Sequence, residues 1–170
     1  MSKERSGSLV LMVIGSKSDL DVLKPGVEIF RELDIPFEVR VASAHRTPEK
    51  VEGLVKAAGE GTTKVIIAVA GAAAHLAGVV AGHTLLPVLG VPVAATPLAG
   101  FDSLLSMAQM PRGVPVGVLS VGGTANAALL SARIIALSDK GVRSKLERWK
   151  NKMKERVETG DKEVREMFGD

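Results

Sequence analysis

Val10-Leu11-Met12-Val13-Ile14-Gly15-Ser16-Lys17-Ser18-Asp19 is the stretch that decides the fold class of this chain. Five apolar residues in a row, three of them β-branched, suit a strand covered on both faces, and such strands are typical of parallel sheets. Gly15 ends the run, and small polar residues lead into a helical pattern. From Leu20 to Leu33, Leu23, Val27 and Phe30 recur at helical spacing. Pro25 lies inside this pattern, where it is expected to kink the helix or delay its start. Strand, polar turn and helix together make the first half of a βα unit.

The same unit repeats along the chain. Phe37–Val41, Val65–Val69, Pro87–Val93 and Pro115–Val121 supply four more strand candidates. Thr47-Pro48-Glu49-Lys50 opens a helix well, with Thr at the cap and Pro at the first position. Val51, Leu54, Val55 and Ala58 form its apolar face, and Gly59 and Gly61 are expected to end it. Ala73–Ala81 and Phe101–Met110 read as helical, and Thr124 can cap a helix running to about Leu137. Five successive βα units predict a three-layer α/β fold around a five-stranded parallel sheet. The expected strand order is 2-1-3-4-5 with right-handed crossovers. Ligands of such sheets bind outside the carboxyl ends of the strands, where the order reverses.

Composition agrees. Of the 170 residues, 46% are hydrophobic but only 3% aromatic, so the core must be built from Val, Leu, Ile and Ala. The chain has no cysteine. That excludes disulfides, a thiol nucleophile and any Cys-based metal site, and it fits a reducing, cytoplasmic setting. Twenty-two basic against nineteen acidic side chains give a net charge of +3, too balanced to imply nucleic-acid binding. Met1 to Ser8 is polar and lacks the apolar stretch of a secretion signal. Val65 to Gly82 approaches the length of a membrane span, but it holds His75 and glycines at 71, 78 and 82. A buried strand turning into a small-residue helix is the expected reading, with no membrane partner.

Residues 1–138 are expected to form the α/β domain and 139–170 a separate C-terminal helix and charged tail. From Lys140 to Arg156 there are eight basic and two acidic residues. Val142, Leu146, Trp149, Met153 and Val157 recur every three or four positions, which makes an amphipathic helix. Its stripe is expected to dock on its own domain or on a neighbouring subunit rather than to present a basic face to RNA.

Three segments after strands could carry chemistry. Gly15-Ser16-Lys17-Ser18-Asp19 offers backbone N–H groups and hydroxyls to an anion, and Asp19 could bond ribose hydroxyls. It has neither the Walker nor the GxGxxG pattern, and on its own it reads equally as a tight turn capped by Ser18. Ser43-Ala44-His45-Arg46-Thr47-Pro48 brings a hydroxyl, an imidazole and a guanidinium to the mouth of the sheet. Arg suits phosphate through its planar fork, and His is the side chain most easily tuned for proton transfer near neutral pH. With the Arg46 charge beside it, His45 is expected to rest neutral and act first as a base. In isolation it reads as a surface histidine near a helix start. Ala70-Gly71-Ala72-Ala73-Ala74-His75-Leu76-Ala77-Gly78 lets backbone approach a planar ligand closely. The three histidines show no metal motif, so no metal is expected. Gln109–Gly113 and Asn126 read locally as structural.

The set as a whole resembles one family. GSKSD, SAHRTP, AGxxxAHLxG, LPVLGVP, QMPRGVPVG and NAALL occur in the order and approximate spacing of the bacterial-type N5-carboxyaminoimidazole ribonucleotide mutases, the catalytic subunits of phosphoribosylaminoimidazole carboxylase. The likeness covers about Val10 to Ser138, and SAHRTP and QMPRG look like the mutase class rather than the class that uses free carbon dioxide. The resemblance implies a flavodoxin-like sandwich, a homo-octamer with active sites at subunit interfaces, a ribonucleotide substrate and no cofactor. It implies His45 as the catalytic acid/base, and substrate binding by Ser16, Ser18, Asp19, Ser43, Arg46, Gly71, Ala74, His75 and Leu76. The chain departs from the family where Gly is usual at Val69 and Ala72 and Pro at Ala77, in Pro25, and in the short Gly122–Ala125 segment.

Overall fold

A computed structural model of the chain describes residues 7–169; Met1 to Ser6, most of the polar N-terminal segment, lie outside them. The sheet holds β1 (Val10–Ile14), β2 (Phe37–Val41), β3 (Val65–Gly71), β4 (Val88–Val93) and β5 (Gly117–Val118). All pairings are parallel, and the order is β2-β1-β3-β4-β5. The helices are α1 (Leu20–Glu32), α2 (Pro48–Glu60), α3 (Leu76–Gly82), α4 (Phe101–Ala108), α5 (Thr124–Ile135) and α6 (Lys140–Phe168).

The period-2 alternation of each strand splits the core into two layers. Val10, Met12, Ile14, Val65, Ile67 and Val69 face α1 and α5. Leu11, Val13, Ile66, Ala68 and Ala70 face α2 and α3, where Met107 of α4 joins them. Phe30 is the largest fully buried side chain, and it stacks on Phe37 with ring centroids 5.4 Å apart. Burying such a ring contributes roughly 1.5–3 kcal/mol.

Pro25 does not delay α1, because the helix starts at Leu20 and runs through it to Glu32. The residue after it explains the local sequence. A Cβ on Gly26 would lie 2.8 Å from the backbone oxygen of Thr124, so α1 and α5 meet closely at that point. The Thr124 hydroxyl donates to Val22 O at 2.6 Å across the same contact. Thr124 is therefore an inter-helix tie inside α5, whose cap position is Gly123. Gly59 sits within α2, which ends at Glu60 with Gly61 as its C-cap.

The fifth strand is much shorter than the Pro115–Val121 run suggests. Gly90 O accepts from Leu119 N at 2.9 Å, as a regular parallel ladder requires. The next rung would take an N–H from residue 92, and Pro92 has none. Gly122 N, one residue out of step, reaches Pro92 O at 2.9 Å instead.

Candidate active site

Register places the loops. Val10↔Phe37 and Val10↔Val65 start β1, β2 and β3 level, so the segments after Ile14, Val41 and Gly71 emerge at one edge. Gly71↔Val93 brings the end of β4 to the same edge.

After β1, Gly15 N still donates to Val69 O at 3.1 Å, and one 3-10 turn (Lys17–Asp19) follows. Ser16 caps that turn, its Oγ accepting from Ser18 N at 3.3 Å; the cap expected at Ser18 lies two residues earlier. The Ser18 hydroxyl lies 2.9 Å from Ser16 Oγ and 3.2 Å from Asp19 Oδ1. It has one hydrogen, so it donates to one of them at a time. Asp19 is buried and stands at the N-cap of α1, where the helix dipole favours a carboxylate.

After β2, the Ser43–Thr47 loop is closed on itself. Thr47 N donates to Ser43 O at 2.9 Å, and Ser43 N donates to Thr47 Oγ1 at 2.9 Å. Thr47 thus spends its hydroxyl on the loop rather than on capping α2. Arg46 N donates to Ser43 Oγ at 3.2 Å, and Arg46 Nη2 donates to Gly15 O at 3.2 Å. The guanidinium is therefore pinned between the first two loops.

After β3, Ala72 takes a left-handed φ of 53°, and His75 stands at the cap of α3. His45 Nε2 and His75 Nδ1 are 2.8 Å apart, with the rings edge to face. One of the two nitrogens carries the shared hydrogen and the other accepts it. Arg46, the neighbour from which the charge of His45 was expected to be set, turns to Gly15 and Ser43; the imidazole instead meets His75.

These loops enclose a cavity of about 200 Å³. Ser16, Ser18, Asp19, Ser43, His45, Arg46, Gly71, His75 and Leu76 line it, together with Gly15, Ala44, Ala70, Ala72, Ala73 and Ala95. Ala74 does not. The turn at Ala72 directs it inward, and it packs in the core with Leu76 and Ala77. Asn126 and Arg112 are absent from the lining. Ala95, from the fourth loop, carries no chemical signal in sequence, and only the Gly71↔Val93 register shows that it reaches the cavity. A Cβ on Gly71 would lie 2.5 Å from the Cβ of Ala95, so glycine is what lets loops three and four close the floor.

The cavity has two chemical ends. Arg46 and the Ser16, Ser18 and Ser43 hydroxyls can hold an anion, and the His45–His75 pair can accept or deliver a proton. Small apolar residues fill the wall between them. Among the described residues, no group of three or more His, Asp or Glu is placed to hold a metal ion.

Residues 9–156 match the family described as AIR carboxylase. The chain belongs to that family. N5-carboxyaminoimidazole ribonucleotide mutase of Escherichia coli strain K12 is 48% identical over 159 residues, covering 92% of this chain and 94% of the relative. The protein of that name from Methanocaldococcus jannaschii is 48% identical over 160 residues, covering 94% and 99%. Among solved structures, Treponema denticola PurE superposes with a TM-score of 0.80 at 26% identity, over 92% of this chain and 98% of that one. A variant of Treponema denticola PurE2 reaches a TM-score of 0.85 at the same identity and coverage. The fold and family expected of the SAHRTP and AHL segments are both met in this AIR carboxylase family member.

Proposed function

We infer that this chain is an enzyme of purine biosynthesis that converts N5-carboxyaminoimidazole ribonucleotide to 4-carboxy-5-aminoimidazole ribonucleotide. The observation that carries the reading is the meeting of His45, His75, Arg46 and the serine hydroxyls on one small cavity. Relatives at this level of identity carry the mutase name, which favours the mutase over direct carboxylation.

The chemistry uses what the cavity offers. Arg46 with Ser18 and Ser43 holds the phosphate, and Asp19 accepts from the ribose hydroxyls. The bond between the exocyclic nitrogen and the carboxyl carbon breaks, and that nitrogen keeps the electron pair and takes a proton. Carbon dioxide is released and stays between the small-residue wall and the heterocycle. The ring carbon attacks it, and the proton on that carbon then leaves. One imidazole that gives the first proton and receives the second ends each turnover as it began. This places the acid step first, the reverse of the order expected from Arg46 alone. His45 is assigned that role, with His75 as the group that holds its ring.

We also propose that the enzyme works in the cytoplasm as a homo-octamer and needs no cofactor. The lack of cysteine supports the compartment. Several large apolar side chains left uncovered in one chain, Leu98 and Phe101 near the fourth loop among them, support the assembly.

The test is turnover of the purified chain with the carbamate substrate and, separately, with aminoimidazole ribonucleotide plus bicarbonate. The carbamate is expected to turn over without added bicarbonate. His45→Asn is expected to bind substrate and lose at least about a hundredfold in rate. Turnover that depends on bicarbonate, with none on the carbamate, would reject the mutase. Full activity in His45→Asn would reject the assignment of the acid/base.

A further inference from the structure

The fourth loop, between β4 and α4, reaches the cavity through Ala95 alone. Further along it, Ala99 and Gly100 take left-handed φ values of 50° and 88°. Glycine accepts that conformation and alanine resists it, so Ala99 keeps it only where its surroundings over-determine it. Two ties do so. At the base, the Ser103 hydroxyl lies 2.8 Å from Val93 O and 3.0 Å from Gly100 O, and it donates to one of them at a time. Within the loop, Thr96 is the hub. Its hydroxyl donates to Asp102 Oδ2 at 2.9 Å and accepts from Leu98 N at 3.2 Å, and its carbonyl accepts from Ala99 N at 3.1 Å. The path from the first turn of α4 to Ala99 therefore runs through the side chain next to Ala95.

Asp102 does more than start its helix. An acid in the first turn of α4 suits the helix dipole, and for that role both carboxylate oxygens can stay in water. Here Oδ2 is turned onto Thr96, and Oδ1 is buried with no partner among the described residues. An unpaired buried oxygen is destabilising. What offsets it is a charge-assisted bond onto the loop, stronger than a neutral one.

We propose that Asp102, acting through Thr96, is a positioning residue that keeps Ala95 on the cavity floor, and that this floor retains carbon dioxide between the two halves of the reaction. The inference rests on the mutase reading of the cavity. Ala95 sits directly against Gly71, so a fourth loop that draws back opens a gap between them. The anion-holding groups stand on the first two loops, so the phosphate stays held and KM changes little. The loss falls on the intermediate. Once the bond from nitrogen to the carboxyl carbon has broken, the nitrogen keeps the electron pair and takes a proton from the imidazole. The carbon dioxide is then attacked by the ring carbon, or it leaves through the gap. Leaving ends the turnover as aminoimidazole ribonucleotide and carbon dioxide, and the imidazole regains its proton from water.

The test feeds the carbamate to the full chain and measures both products, less the decay without enzyme. Thr96→Val and Asp102→Ala are each expected to lower kcat about tenfold with KM within about twofold, and to raise the share of aminoimidazole ribonucleotide severalfold. Both cut the same tie, so the double variant is expected to lose no more than either alone. Thr96→Ser keeps the hydroxyl and is expected to restore the parent ratio. Ser106→Ala loses a bond to Asp102 O within α4, at 2.8 Å, and is expected to leave the ratio unchanged. An unchanged ratio in folded Thr96→Val, or the same diversion in Ser106→Ala, overturns the proposal. A parent protein that turns over no carbamate rejects the mutase reading instead, and the loop is then read without substrate. The chain has no cysteine, so Ala95→Cys supplies a single thiol. Adding Thr96→Val is expected to speed its reaction with a thiol reagent severalfold, and an equal rate overturns the positioning of Ala95.

Discussion

Ala72 stands in the wall of the cavity with φ at 53°, a conformation that disfavours any side chain with a Cβ. Replacing it by glycine tests whether the wall is held under strain. An L-residue in the left-handed region costs roughly 1–2 kcal/mol, which Ala72→Gly relieves. Against this stands the greater freedom of glycine in the unfolded chain, about 0.4–1 kcal/mol. The net expectation is a gain of about 0.5–1 kcal/mol. For a chain of this size that raises the melting temperature by roughly 1–4 °C. Ala73→Gly is the control. Its φ is not positive, so only the unfavourable term remains, and a loss of about 0.5–1 kcal/mol is expected. Thermal and urea unfolding of both variants, followed by circular dichroism at matched protein concentration, give the two numbers. If Ala72→Gly destabilises as much as Ala73→Gly, the strain argument is wrong.

Three further outcomes follow from distances. Gly71→Ala forces a Cβ to 2.5 Å from that of Ala95 and 3.1 Å from Val93 O, so it is expected to lower kcat/KM by about tenfold or more through a displaced cavity floor, measured in steady state. Gly26→Ala drives a Cβ to 2.8 Å from Thr124 O; the separation of α1 from α5 is expected to cost about 1–3 kcal/mol in urea unfolding while Km changes little. Arg46→Lys keeps the charge but loses the fork that reaches Gly15 O, and is expected to raise KM about tenfold with a smaller change in kcat.

The layers of the fold were legible because β1, β3 and β4 are unbroken apolar runs, which only a doubly covered strand tolerates. β5 was not, since its length is decided by a missing N–H in another strand, at Pro92. The gathering of Ser16, Asp19, Ser43, Arg46 and His45 followed from their places after strands whose ends are level. The His45–His75 contact joins loops thirty residues apart and needs coordinates to be seen. Ala95 escaped because alanine announces no chemistry, and Ala74 was included because its neighbours do. In the tail, the stripe was readable to Val157, but that the domain covers only its first part, Val142, Leu146 and Trp149, shows only in the packing.

Pro92 has one more effect. By stopping β5 after two residues, it leaves that margin of the sheet with almost no free rungs on which a foreign strand could be templated. At the opposite margin, β2 carries the Arg40–Glu38 pair, which would be stripped of water by an incoming strand. A protein this rich in Val, Leu and Ile is thereby guarded against sheet-to-sheet aggregation at both borders, at one of them by a single imino acid.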